Sequence, residues 1–97
     1  MSNFAAAASE DLGSLIKQAL GAHQQGKVEE ALAGYEKVAP LLGGTSEQIQ
    51  ATIHSNLGAL YMQQAEYEKA QSSFKAAATA QPSNVSLNGY YSILLAS

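Results

Sequence analysis

The chain has 97 residues, a net charge of −3, no cysteine, and 46% hydrophobic against 13% charged residues. That is length for one domain with a modest core, and it excludes a disulfide framework, a thiol nucleophile and a thiolate metal site. The basic residues are five Lys, a balance that argues against a nucleic-acid partner, and no apolar run reaches the roughly eighteen residues a membrane span needs.

Residues 1–9 carry no charged side chain, and a frayed N-terminal arm is expected there. The stretch MSNFAAAASED has no basic region ahead of an apolar run, so it does not read as a signal peptide, and a cytoplasmic location is expected. A single domain over residues 10–97 follows. Ser9 with Glu10 and Asp11 suits a helix start, since acidic groups favour the first turn. Leu12, Leu15, Ile16, Ala19, Leu20 and His23 then form a broad stripe at helical spacing, predicting a first helix from Leu12 to Gln25. Gln25-Gly26 breaks it. Val28 to Val38 is predicted as a second helix, with Ala31, Tyr35 and Val38 on one face. Pro40 ends or kinks it, and Gly43-Gly44 does not continue it.

A longer third helix is predicted from about Ser46 to Gln64. Thr45 or Ser46 caps it, and Thr45-x-x-Gln48 fits a capping box. Ile49, Ile53, Leu57 and Tyr61 step by four, so one buried face is expected along its length. Gly58 lies mid-helix, at a cost of about 1 kcal/mol against Ala. The expected reason is a neighbouring helix that needs the space. Gln64-Ala65-Glu66 is a short break. In the fourth helix Ala70, Phe74 and Ala77 repeat the four-then-three spacing of Ala31, Tyr35 and Val38, offset by 39 residues. Small-large-small on that face lets Phe74 insert against the third helix, and Pro82 ends the helix near Ala80. Ser83 or Asn84 then caps a fifth helix, Val85 to about Ala96. Its apolar residues, Val85, Leu87, Tyr90, Tyr91, Ile93, Leu94 and Leu95, spread around most of the wheel, and no charge occurs from Ala76 to Ser97. Such a helix expects burial on more than one side. It either closes the core of its own chain or meets another molecule.

The segment from His54 to Pro82 carries Leu57-Gly58, Tyr61, Ala70, Phe74, Ala77 and Pro82. At that spacing it closely resembles a tetratricopeptide repeat, W-x2-L-G-x2-Y then A-x3-F then P, with His54 in the place of the Trp. GKVEEALAGYEKV resembles the second helix of a preceding repeat. Its offset of 39 exceeds the family's 34, and the extra residues fall around Pro40–Gly44. The resemblance implies an all-α, right-handed solenoid of antiparallel helix pairs with five helices: repeat one over 12–44, repeat two over 45–84, and a terminal helix over 85–96.

The resemblance also implies a working surface on the first helix of each pair. It would present Ile16, Leu20, His23 and Gln24 from repeat one, and Thr52, Ser55, Asn56, Ala59, Met62 and Gln63 from repeat two. One branch of the family clamps a C-terminal carboxylate with Lys, Asn, Asn, Lys and Arg. The matching positions here hold Ile16, Leu20, Asn56, Ser86 and Tyr90, and Asn56 alone agrees, so that ligand is disfavoured. A neutral, partly apolar groove suits a peptide or helix segment with apolar anchors. The implied function is non-catalytic protein binding, as an adaptor or assembly scaffold. The alternatives are a homodimer formed through Leu87, Tyr90, Tyr91, Ile93 and Leu94, and the N-terminal part of a longer protein.

No catalytic constellation appears. No G-x-S-x-G occurs, and Gly43-Gly44 is not followed by the Gly-Lys-Ser/Thr of a phosphate cradle. His23 and His54 fall on different helices with no third ligand at metal spacing. His54 is expected as a packing residue and His23 as a surface or groove residue. Glu29-Glu30 complements a helix dipole. No catalytic residue, metal or cofactor is expected.

Overall fold

A computed structural model describes residues 11–82. These are helical throughout apart from short connections: α1 (Leu12–Gln24), α2 (Val28–Val38), a 3-10 turn (Ala39–Leu41), α3 (Glu47–Gln63) and α4 (Tyr67–Ala80). The fifth helix expected over 85–96 and the N-terminal arm lie outside the described residues. The chain divides into two compact units at Leu41 and Leu42. Each contains one helical hairpin, α1 with α2 and α3 with α4.

In the first unit Asp11 is the N-cap of α1, and its carboxylate accepts the Ser14 backbone N–H at 2.8 Å. That bond favours the charged carboxylate and holds its pKa below the ordinary value. Ala19 and Ala22 on α1 are buried, as are Ala31, Tyr35 and Val38 on α2. The helices come close together at Ala19 and Gly34. A Cβ added to Gly34 would stand 2.9 Å from the Ala19 Cβ and 3.3 Å from its Cα, so this approach requires a glycine. Tyr35 turns its ring edge-on to His23, with centroids 5.7 Å apart, and its hydroxyl lies 3.1 Å from His23 Nδ1. The one polar atom of a fully buried side chain is thereby satisfied. α2 ends at Val38, and Pro40 falls inside the 3-10 turn that follows.

In the second unit Ile53, Leu57, Leu60 and Tyr61 form the buried face of α3, and Ala70, Ser73, Phe74, Ala77 and Ala78 that of α4. The Phe74 ring lies on Gly58: an added Cβ would stand 2.8 Å from its Cε1 and Cζ. Nearer the start of α3, Ala51 packs with Ala77 and Ala80. The Leu42 carbonyl accepts the Thr45 backbone N–H at 3.0 Å, the Thr45 hydroxyl at 2.6 Å and the Gln50 Nε2 at 3.2 Å, which ties the connection to the start of α3.

The two hairpin turns are the same motif, 39 residues apart. Gly26 N–H donates to His23 O at 3.0 Å and Lys27 N–H to Ala22 O at 2.9 Å. Ala65 N–H donates to Met62 O at 3.0 Å and Glu66 N–H to Tyr61 O at 2.8 Å. These are the paired bonds of a Schellman C-cap, which needs a left-handed residue at its centre. Gly26 supplies it at φ 77°, and Ala65 at φ 58°.

Two expectations are corrected. Of the two residues expected to cap α3 it is Ser46 that does so, accepting Ile49 N–H at 3.2 Å; the capping box from Thr45 to Gln48 does not form, because Thr45 lies outside the cap and its hydroxyl donates to Leu42 O. Ile49 does not extend the buried face but is 39% exposed. The apolar contact at that end of α3 is made by Ala51, a different side of the helix, against the last turns of α4.

Candidate functional site

The helices differ in where they carry charge. α2 holds Glu29, Glu30, Glu36 and Lys37, and α4 holds Glu68, Lys69 and Lys75, all exposed. α1 holds only Lys17, and α3 only Glu47 in its first turn. Residues 48–65 contain no Asp, Glu, Lys or Arg. A helix face turned to water ordinarily carries charged side chains, so the bare side of α3 is the unusual surface of this unit.

That side follows from the packing. Ile53, Leu57, Leu60 and Tyr61 are buried along one side of α3, and the side facing away from them is outward. Thr52, Ala59, Met62 and Gln63 are exposed there, and Ser55 and Asn56 are half-buried. Steps of three, four and seven put them on one stripe. The Ser55 hydroxyl donates to Thr52 O at 3.0 Å. Met62 is the large apolar residue of the stripe, 39% exposed. On α1, Ile16, Leu20 and His23 are half-buried and Gln24 is exposed, again along one face. Each set stays together within its own unit. The expected self-association residues Leu87, Tyr90, Tyr91, Ile93 and Leu94 lie outside the described residues.

His54 is half-buried and lines a groove of about 550 Å³ between α3 and α4, with Glu47 and Gln50 on its own helix and Ser72, Lys75 and Ala80 opposite. Loss of water around the ring disfavours its protonated form and lowers its pKa below the ordinary 6.5. The groove mixes both signs of charge with amide and hydroxyl groups. The Thr79 hydroxyl at its edge is turned back on its own helix, donating to Lys75 O at 2.8 Å. Among the described residues no three His, Cys, Asp or Glu side chains gather as a metal site would require, and no helix is long and apolar enough to cross a membrane.

Gly34 is a residue that the sequence reasoning missed. Its signal was the one that marked Gly58, a glycine inside a helix with no turn to explain it. No model of a known protein family matches the chain, nor does any curated protein.

Proposed function

We propose that the chain is a non-catalytic protein-binding module of the tetratricopeptide type, an adaptor or assembly scaffold working in the cytoplasm. The reading brings with it the right-handed, five-helix solenoid that the sequence resemblance implies. The binding residues are Ile16, Leu20, His23 and Gln24 on α1 and Thr52, Ser55, Asn56, Ala59, Met62 and Gln63 on α3. The partner is another protein, presenting a peptide or helix segment.

The observation that carries this reading is the segregation of charge. In each hairpin the first helix turns an almost uncharged face outward, whereas the second helix carries the ionic groups. Charged side chains are depleted from the centres of protein interfaces, because each would have to shed its water on association. The 39-residue recurrence of the turn bonds and of the Ala-aromatic-small spacing supports the repeat type.

Site-specific photocrosslinking tests it. A photoreactive residue placed at Ala59, on the α3 face, should give a discrete adduct with another protein in extract of the source cells. The same group at Lys75, on α4, should not. Adducts of equal yield from both positions, or from neither, would contradict the assignment.

A further inference from the structure

We propose that Met62 is an oxidation site whose sulfoxide weakens partner docking, so that a peroxide switches the interaction off and a sulfoxide reductase switches it back on. The inference rests on the protein-binding reading above and adds its regulation.

The chain has no cysteine and two methionines, Met1 and Met62. Thioether sulfur is therefore its whole stock of readily oxidised sulfur, and Met62 holds the one sulfur atom among the described residues. Its position decides what oxidation does. The preceding residues Leu60 and Tyr61 are 0% and 8% exposed, whereas Met62 is 39% exposed. A small oxidant thus reaches its side chain without any opening of the hairpin. The Met62 backbone serves the turn, its carbonyl accepting the Ala65 N–H at 3.0 Å, and that bond does not involve the side chain. Oxidation therefore changes the surface and leaves the buried face and the turn in place.

The reaction is a two-electron oxygen transfer. The thioether sulfur attacks one oxygen of hydrogen peroxide, the O–O bond breaks, that oxygen stays on sulfur, and the other leaves as water after proton transfer. Sulfur is oxidised and the peroxide reduced. The product is a polar, chiral side chain in place of a flexible apolar one, and enzymes specific for each epimer reduce it back. Residues 48–65 contain no Asp, Glu, Lys or Arg, so the new S–O dipole enters a surface without ionised groups. A partner that has closed over the thioether would have to strip the water from that dipole with no donor placed to receive it.

The test treats the full chain with hydrogen peroxide and locates the added oxygen by peptide mapping and mass spectrometry. Affinity is measured with a peptide recovered by panning a random dodecapeptide display library on the reduced chain. Met62 should gain one oxygen atom with the melting curve unchanged. Affinity should fall roughly tenfold or more, as for a polar group buried without a partner. Reductases of both epimer specificities should restore it. Met62→Leu, compared with its own untreated value, should show no fall under the same peroxide dose, which separates Met62 from Met1. A Met62 that stays reduced while free methionine is consumed, or an oxidised Met62 with affinity unchanged, would overturn the switch and leave protein binding in place. So would a fall that persists in Met62→Leu. Recovery of no binding peptide would overturn both.

Discussion

Gly58→Ala tests the packing of the second hairpin, because two effects of known sign oppose each other there. Ala is favoured over Gly inside a helix by about 0.5–1 kcal/mol, so the substitution stabilises wherever a Cβ has room. At Gly58 it has none: the new atom would stand 2.8 Å from Phe74 Cε1 and Cζ and 2.9 Å from Cδ1. Real Cβ contacts do not come so near, and the ring is 4% exposed and enclosed. Overpacking of this kind costs about 1–3 kcal/mol, which outweighs the propensity gain and leaves a net loss of roughly 1 kcal/mol. Gly21, inside α1, is the control, since a Cβ there meets nothing within 4 Å. Gly21→Ala should stabilise by about 0.5–1 kcal/mol. Propensity cancels between the two substitutions, so their difference isolates the contact with Phe74. Thermal unfolding followed by circular dichroism resolves it, at about 4–8 °C per kcal/mol for a domain of this size. In a Phe74→Leu background the cost of Gly58→Ala should shrink or change sign. If Gly58→Ala raised the melting temperature as much as Gly21→Ala, Phe74 would not lie on that glycine.

The turns, the buried tyrosine and the half-buried histidine give further tests. Ala65→Gly relieves a left-handed Ala, worth about 1–2 kcal/mol, against an unfolded-state entropy cost of about 0.4–1 kcal/mol; it should raise the urea midpoint, and Gly26→Ala should lower it. Tyr35→Phe removes the hydroxyl that meets His23 Nδ1 and should cost about 0.5–1.5 kcal/mol in the same assay. The pKa of His54 is lowered by burial, so between its folded value and the unfolded 6.5 the unfolded chain binds more protons. Its contribution to stability is therefore full above pH 6.5 and is lost as pH falls through that window, levelling off below the folded value. His54→Gln should flatten the corresponding part of a stability-against-pH curve, and an unchanged curve would mean the ring is solvated.

The second hairpin was legible because its sequence leaves few alternatives. Ala70, Phe74 and Ala77 combine helical spacing with alternating size, and all three are buried. Gly58 has no turn to explain it, so close approach was its remaining physical use. The first hairpin was harder to read in detail. Ala19 replaces the glycine of the second hairpin, and the tight contact moves one position, from an aromatic ring on Gly58 to Ala19 on Gly34. Tyr35 turns to His23 instead, a pairing that no spacing rule announces. Periodicity also misplaced Ile49. A step of four from Ile53 puts it on the same stripe, but α3 meets the end of α4 through Ala51. The left-handed Ala65 was hidden because Ala carries no turn signal, and the register with Gly26 shows its role once the bonds are in view. The α3 face was read from the resemblance, and the structure adds its exposure, its freedom from charge and the position of Met62.

The most direct test of the central claim is a chemical-shift map. The uniformly 15N-labelled full chain is titrated with a binding peptide recovered by panning a random dodecapeptide display library on it, and its amide signals are followed. The account predicts shifts centred on Thr52, Ser55, Asn56, Ala59, Met62 and Gln63. Shifts centred instead on the charged side of α4, or on Ala76–Ala80 beside the His54 groove, would contradict it.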